Sequence, residues 1–449
     1  MLNRLEAILH PENTRNKMLR NNILLSIVIK CIGLLTSLLI VPATLAYLNN
    51  EQYGIWMTIS SILTWFSYFD VGLGNGMRNY LAQSFSKCDY KQARIYLTTT
   101  LFMLTAIAAL LIIVSTICIL ALDLNRVFNT TAVDSHQLTI SLLYATLLTL
   151  VLFIVKNIGL VYVAMQKYAI NDLLIVGSNV ISLIIVYIIT KTTTSNLFYI
   201  VLIFTTTPVV VFSLSTIPLF RKHPELRPTR SSIDISFGRQ ILSKGLGFFF
   251  IQITSCLIIF GSANIFIAQA AGQEAVTTYN IAYKFFNLLV IAYTIVIAPI
   301  WNAYTDAYVK QEFSWIRQTL HRTFTIWGLT LAVGLFMLFV SPYFYKLWVG
   351  ESVNVPTRVS CCVFIYVSFF NLNNCVTALI NGVNKIYIQI VTSILFTFLY
   401  VLTAYFWGSQ HGIEGIVACM IVSYAAMGAI HFYQCLLLVN QKATGVWNK

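Results

Sequence analysis

The chain has 449 residues, of which 58% are hydrophobic and only 10% are charged, and its mean hydropathy is +0.78. A soluble domain covers its surface with about 25% charged residues, so this composition excludes a soluble globular protein and indicates a membrane protein. The formal net charge of +13 agrees with basic loops that contact anionic lipid headgroups, and no basic stripe of the kind that binds nucleic acid is present.

The first 22 residues are polar and mixed in charge. The apolar run that follows is too long for the hydrophobic region of a signal peptide, so we expect Met1 to remain in the mature chain. Further apolar runs recur along the sequence without the alternation of a membrane β-barrel, which leaves helices as the spanning structure. The sequence predicts twelve spans, near residues 23–47, 55–74, 95–122, 138–163, 173–190, 197–220, 246–270, 277–303, 323–345, 359–380, 386–408 and 416–439.

The basic residues are distributed unequally between the two sides of these spans. Of the 28 Lys and Arg residues, 21 fall on the side of the N-terminus, 4 on the other side and 3 inside spans. Since basic loops stay on the cytoplasmic side, this asymmetry predicts that both termini are cytoplasmic.

A glycine-rich stretch, FDVGLGNGMRNYLAQSF at residues 69–85, resembles a phosphate-binding loop at first sight. The dinucleotide fingerprint fails because Met77 stands where the third glycine is required, and no Walker lysine follows. We expect Gly72–Gly76 to close the second span at its cytoplasmic end, where glycines allow a turn or a close helix contact.

The most basic segment, residues 221–245, follows the sixth span and is predicted to link two lobes. The domains are therefore predicted as an N-terminal six-helix lobe at 1–220, the cytoplasmic linker at 221–245 and a C-terminal six-helix lobe at 246–449. An offset of 223 residues supports an internal parallel repeat, because it aligns KCDYKQARIYL with KQEFSWIRQTL and pairs Asn79 with Asn302, Lys87 with Lys310, Asp89 with Glu312, Tyr90 with Phe313, Arg94 with Arg317 and Leu97 with Leu320.

The nine cysteines are scattered, nearly all within apolar runs, and none forms a CxxC pair. This pattern favours small buried apolar residues over disulfides or metal ligands. The two histidines in the last quarter of the chain, His411 and His431, are isolated, and no metal site, cofactor site or nucleophile is recognisable. We therefore expect no catalytic residue, no metal and no cofactor.

Residues 47–93, YLNNEQYGIWMTISSILTWFSYFDVGLGNGMRNYLAQSFSKCDYKQA, resemble the N-terminal region of Wzx-type O-antigen and capsule flippases. These belong to the multidrug/oligosaccharidyl-lipid/polysaccharide exporter (MOP) superfamily. The resemblance rests on the acid-x-Tyr-Gly-x-Trp run at Glu51–Trp56, on Asp70–Gly74, on the Asp89–Tyr90 step, and on YTDAYVKQEFSWI at 304–316.

The resemblance implies an all-helical, two-lobed fold like that of the MATE transporters, in the bacterial inner membrane. It also implies that the chain moves an undecaprenyl-diphosphate-linked oligosaccharide from the cytoplasmic to the periplasmic leaflet by alternating access, through a cleft lined by spans one, two, seven and eight. Partners would be this lipid-linked substrate, membrane lipids, and a polysaccharide polymerase with chain-length proteins. The sugar is not implied, and without an ATP site the energy comes from an ion gradient or from consumption of the product.

Ionisable residues inside spans cost about 2.5–3.5 kcal/mol each on insertion scales and therefore mark candidate sites. Lys30 and Asp70 lie at similar depths, so they either pair structurally or hold the lipid diphosphate. Lys284 has no acid at its depth in the second half, and it either binds the diphosphate or snorkels to the outer headgroups. Lys156 is expected to bond carbonyls within its own lobe. The predicted translocation residues are therefore Lys284, Lys30 and Asp70.

Two other functions compete with the flippase. A drug or cation antiporter of the same superfamily needs a carboxylate deep in one lobe, whereas Asp70 is the only acid predicted inside a span and lies near one end. A membrane glycosyltransferase or polymerase needs catalytic groups in a large periplasmic loop, and the longest outer loop predicted here has about 15 residues. The sequence therefore favours a transporter that is not an enzyme.

Overall fold

A computed structural model of the protein describes residues 14–242 and 259–449. Within these residues the chain is almost wholly helical and contains no β-strand. Its helices are α1 (Thr14–Tyr47), α2 (Asn50–Phe66), α3 (Leu73–Ser86), α4 (Tyr90–Ala121), α5 (Leu124–Phe128), α6 (Ser135–Val155), α7 (Asn157–Ala164), α8 (Tyr168–Thr192), α9 (Leu197–Lys222), α10 (Ile259–Ala271), α11 (Gln273–Val309), α12 (Phe313–Val349), α13 (Thr357–Gly382), α14 (Tyr387–Phe406) and α15 (Gly412–Val439).

The predicted class, an all-helical polytopic membrane protein, is confirmed. Ten helical stretches in the described residues are long and apolar enough to cross a membrane. The second predicted span is divided between α2 and α3, and the seventh, 246–270, lies partly outside the described residues and is seen from Ile259 onward. Several helices are longer than the bilayer requires, since α11 and α12 have 37 residues each.

The α-helix of the second predicted span ends at Phe66, shortly before the glycines. A 3-10 turn at Ser67–Asp70 follows α2, Val71 and Gly72 take left-handed backbone conformations with φ of 52° and 75°, and α3 then continues to Ser86. The expected turn at these glycines is therefore present, although the α-helix ends earlier than predicted and a further helix follows. The cytoplasmic position of this end stays a prediction. Glycine accepts positive φ without strain, and this lets the chain kink and resume a helix.

Close packing explains the second glycine of the stretch. A Cβ at Gly74 would lie 2.5 Å from the side-chain oxygen of Asn157 and 2.9 Å from Leu160. Helix α3 can therefore pack against α7 at this distance only with glycine here, which agrees with the expected role of small residues in membrane helix contacts.

Contacts group the described residues into two compact units. Unit 1 comprises residues within 1–49, 63–125 and 133–246, and unit 2 comprises residues within 50–62, 126–132 and 247–449. The first part of α2 and the short segment 126–132 thus belong to unit 2 although they come from the first half of the sequence. In unit 1, apolar residues of α3, α4 and α7, among them Met77, Leu97 and Val161, form a fully buried core.

The predicted internal repeat is visible in the backbone. Helices α3 and α4 are joined through Cys88 with φ of 57°, and α11 and α12 are joined through Gln311 with φ of 59°, at the predicted offset of 223 residues. The hydrogen bonds match as well, since Asp89 N–H binds the Ser84 carbonyl at 3.0 Å and Glu312 N–H binds the Ala307 carbonyl at 2.9 Å. The same hairpin therefore occurs once in each unit.

The repeated arginines also have matching contacts. Arg94 Nε donates to the carbonyl of Glu225 at 2.5 Å, just beyond the end of α9. Arg317 Nη2 donates to Asn440 Oδ1 at 2.9 Å, just beyond the end of α15. Each arginine thus anchors the segment that leaves the last helix of its own unit.

Candidate functional site

Lys284 lies on α11, eleven residues after the helix begins at Gln273. Its Nζ is 3.5 Å from the hydroxyl of Tyr53, which is only 1% exposed. None of the ion pairs within residues 14–242 and 259–449 involves Lys284. The described structure therefore gives this half-buried ammonium a neutral phenol as a partner, in agreement with the predicted absence of an acid at its depth.

Lys284 ends a polar stripe on one face of α11. Gln273, Thr277, Asn280 and Lys284 follow one another at spacings of four, three and four residues, which places them on the same side of the helix. The first three are at most 8% exposed. A buried polar stripe in a membrane helix requires hydrogen-bonding partners.

Residues 50–62 of α2 provide those partners. Thr277 donates to the carbonyl of Asn50 at 2.6 Å, and the hydroxyl of Thr58 donates to Gln273 Oε1 at 3.1 Å. Asn280 donates to Asn264 Oδ1 at 2.9 Å, and Asn264 in turn donates to the carbonyl of Met57. The polar face of α11 is thus bonded along its length to this segment of α2.

The acid-x-Tyr-Gly-x-Trp run belongs to the same contact. Glu51 accepts a hydrogen bond of 2.7 Å from Thr130, Tyr53 accepts from Lys284, and Trp56 is buried. A Cβ at Gly54 would overlap the carbonyl oxygen of Gln273, so only glycine permits this approach of α2 to α11. Sequence reasoning used this run only as a mark of resemblance and missed that its Tyr53 contacts Lys284 and its Gly54 packs against α11.

Tyrosines also form a continuous set of ring contacts in unit 2. Tyr279 and Tyr283 stack with ring centroids 5.9 Å apart, Tyr283 lies 6.4 Å from Tyr366, and Tyr366 lies 5.7 Å from Tyr424. A tyrosine ring can pack against the CH groups on the face of a sugar, and its hydroxyl can form a hydrogen bond with a sugar hydroxyl. The sequence could not select these residues because most of its aromatic residues also fit the role of interface anchors.

Lys30 does not pair with Asp70, so the predicted ion pair was wrong. The Nζ of Lys30 lies 3.8 Å from Asp172 on α8, and the hydroxyl of Ser26 donates to the same carboxylate. The sequence missed Asp172 because its predicted fifth span begins at residue 173, whereas α8 begins at Tyr168. Asp70 is therefore not the only acid inside a membrane helix.

Asp70 instead lines a cavity of about 470 Å³ in unit 1 together with Lys156. Lys156 occupies the single-residue break between α6 and α7, and its Nζ lies 5.6 Å from the ring centroid of Phe153. The expected bonds from Lys156 to carbonyl groups are not present in the described structure. Lys284, Lys30 and Asp70 thus lie in three separate settings: Lys284 contacts Tyr53 of the Glu51–Trp56 run, Lys30 contacts Asp172, and Asp70 lines the cavity of unit 1.

No group of three or more potential metal ligands occurs in the part of the chain that the structure describes. No protein-family model matches the sequence. A protein of Salmonella typhi named as an O-antigen transporter is 23% identical over 390 residues, which cover 85% of this chain and 87% of that protein. This similarity agrees with the resemblance to Wzx-type flippases.

Solved structures with a similar fold are transporters of the MOP superfamily. A multidrug resistance MATE transporter in an inward-facing conformation superposes with a TM-score of 0.76 at 15% identity and covers 93% of this chain and 98% of that one. An outward-facing MATE transporter gives a TM-score of 0.61 at 14% identity, with 95% and 97% covered. A MOP transporter of Pyrococcus furiosus gives 0.59 at 14% identity, with 94% and 95% covered.

Proposed function

We propose that the chain, a multi-pass membrane protein with the fold of MOP-superfamily transporters, is a flippase for a lipid-linked oligosaccharide and not an enzyme. The substrate would be a repeat unit on undecaprenyl diphosphate, moved from the cytoplasmic to the periplasmic leaflet of the bacterial inner membrane. Both termini would face the cytoplasm, as the basic loops indicate.

The observation that carries this proposal is the environment of Lys284. Its ammonium has the Tyr53 hydroxyl as its hydrogen-bonding partner and no carboxylate partner among the described residues. A fixed cation in a region of low dielectric attracts a diphosphate far more strongly than the same cation in water. A carboxylate beside it would cancel that attraction, whereas a phenol orients the ammonium without neutralising it.

The intramembrane acids argue against the antiporter alternative. Asp172 is accompanied by Lys30, and Asp70 shares its cavity with Lys156. Each acid therefore has a basic residue beside it, while a carboxylate that exchanges protons or sodium for a drug needs to bind these cations in turn. Asp172 is thus a further acid in the membrane region, but it has Lys30 as its partner.

Substitutions of Lys284 test the proposal directly. We expect Lys284→Arg to retain export because it keeps the charge, and Lys284→Gln and Lys284→Glu to lose it at normal protein abundance in the membrane. Surface polysaccharide and membrane abundance are measured together for the three variants. Full export by the Gln variant would leave Lys284 with a structural role alone.

A deletion strain gives the second test. The absence of this protein should leave undecaprenyl-linked repeat units on the cytoplasmic leaflet, and these are measured by their inaccessibility to a periplasmic glycan-modifying enzyme. Display of the complete polymer by a strain that lacks this protein and any second transporter would refute the flippase.

A further inference from the structure

The cavity of unit 1 contains more polar side chains than the fold uses. Besides Asp70 and Lys156 it is lined by four asparagines and a serine, namely Asn75, Asn157, Asn171, Asn179 and Ser178. Five of these seven residues, namely Lys156, Asn157, Asn171, Ser178 and Asn179, lie on helical stretches long and apolar enough to cross a membrane. Polar groups at that depth are costly unless they are satisfied, so this accumulation is a functional feature by default.

Most of these side chains are not bonded to the protein. Asn157 donates to the carbonyl of Phe153, and Ser178 donates to that of Ile175. Within residues 14–242 and 259–449, Lys156 makes no hydrogen bond or ion pair. In the same part of the chain Asn171 and Asn179 form no side-chain hydrogen bond, and Asp70 uses one carboxylate oxygen, for Gly72 N–H at 2.7 Å. Donors and acceptors therefore remain available to a ligand.

The charged side chains of the cavity, Asp70 and Lys156, indicate which class of ligand it can bind. One carboxylate and one ammonium face the same space, so their charges offset each other and the cavity as a whole favours neither an anion nor a cation. A neutral ligand with many hydroxyls can accept from the ammonium and the amides and donate to the carboxylate. The remaining wall is apolar, formed by Leu152, Leu160, Ile175, Pro208 and Phe212.

We infer that this cavity binds an uncharged sugar ring. A pyranose presents hydroxyls at its edge and CH groups on its faces, which matches a pocket lined both by polar side chains and by apolar ones such as Leu160 and Phe212. The volume of about 470 Å³ falls within the roughly 300–1,000 Å³ typical of small-molecule sites. The inference rests on the proposed function only for the source of the sugar, the glycan that is carried.

The test uses the full-length protein purified in lipid nanodiscs, with Ser178→Cys as a reporter inside the cavity. Alkylation by N-ethylmaleimide is followed at position 178 by peptide mass spectrometry. The competitors are glucose, galactose and N-acetylglucosamine as neutral sugars, glucuronate as an anion, choline as a cation and glycine as a zwitterion. Cys88, which is exposed, monitors any general effect of the competitors.

We expect the neutral sugars to slow alkylation at position 178, by about tenfold at 100 mM if the Kd is about 10 mM. The charged and zwitterionic competitors should leave the rate unchanged, as should every competitor at Cys88. Adding Asn171→Leu should abolish the protection but not the alkylation. Ser182→Cys is the matched control, because Ser182 lies one turn further along α8, is buried like Ser178 and does not line the cavity, so no competitor should change its reaction rate.

Three results would overturn the inference: no protection by any of the sugars, equal or stronger protection by glucuronate, choline or glycine, or no reaction at position 178 without competitor. Because this assay measures binding by the purified protein, it is independent of the deletion strain. Protection at position 178 combined with normal export by the deletion strain would refute the flippase and leave the sugar site standing.

Discussion

Gly54→Ala is the most direct test of the contact between α2 and α11. An added Cβ would overlap the carbonyl oxygen of Gln273 and lie 2.7 Å from its carbonyl carbon. Since carbon atoms pack best at about 3.5–4.0 Å, the two helices must separate by roughly 1 Å. Overpacking of this kind costs about 1–3 kcal/mol. The Thr58 and Thr277 hydrogen bonds lie in the same contact, and each is worth about 0.6 kcal/mol on average.

We therefore expect Gly54→Ala to lower the free energy of unfolding by about 2–4 kcal/mol. The midpoint of thermal unfolding should fall by several degrees in an assay with a thiol-reactive dye, because Cys375, Cys419 and Cys435 are buried in unit 2 and react when it unfolds. Gly328→Ala on α12 is the matched control, since a Cβ there meets no atom within 4 Å. It should be neutral or slightly stabilising. Equal midpoints for the two variants would refute the close approach.

Three further predictions concern unit 1. Lys30→Met and Asp172→Leu should each destabilise the protein, and the double variant should recover up to about 1 kcal/mol of their sum, a small coupling because the Lys30 side chain is 68% exposed. A double-mutant cycle of unfolding free energies measures it, and a coupling of zero would contradict the pair. Arg94→Met should speed amide hydrogen exchange in the segment after α9, whose Glu225 carbonyl it binds, and unchanged exchange there would contradict this anchor. The hydroxyl of Ser236 and backbone N–H groups hold the pKa of Asp234 below its usual value of 3.8, so its stabilisation of helical residues 235–242 should be present above about pH 4 and be lost as the pH falls through the lowered pKa. Exchange at 235–242 that is equally slow at low pH would count against this capping role.

The sequence predicted the fold class and the repeat because both depend on local patterns. Runs of apolar residues define spans whatever they pack against, and the hairpin repeat preserves residues such as Arg94 and Arg317 that act within their own unit. The separate helix that begins at Leu73 was not predicted, because glycine permits a left-handed backbone without requiring it, and a chain that turns at Gly72 looks the same in sequence whether or not a helix follows.

The charge partners could not be predicted because they depend on packing between distant helices. Depth alone paired Lys30 with Asp70, yet an ion pair also requires that the two helices face each other, and α1 faces α8 through Lys30 and Asp172. The error of a few residues in the start of α8 was sufficient to remove Asp172 from the candidates. For Lys284 the absence of an acid could be read from the sequence, since few acids are available in the second half, but its phenol partner could not.

The contacts of Lys284 connect stability with function in one segment. An ammonium within a membrane helix costs about 2.5–3.5 kcal/mol on insertion scales, and a single hydrogen bond of 3.5 Å to Tyr53 offsets only part of that cost. The polar stripe bonds α11 to residues 50–62, and Gly54 allows the close contact in which Lys284 reaches the hydroxyl of Tyr53. The acid-x-Tyr-Gly-x-Trp run is thus the support that keeps a cation without a carboxylate partner inside the membrane. A lysine maintained in this way remains available to an anionic group of a substrate, whereas a lysine stabilised by a carboxylate would already be neutralised.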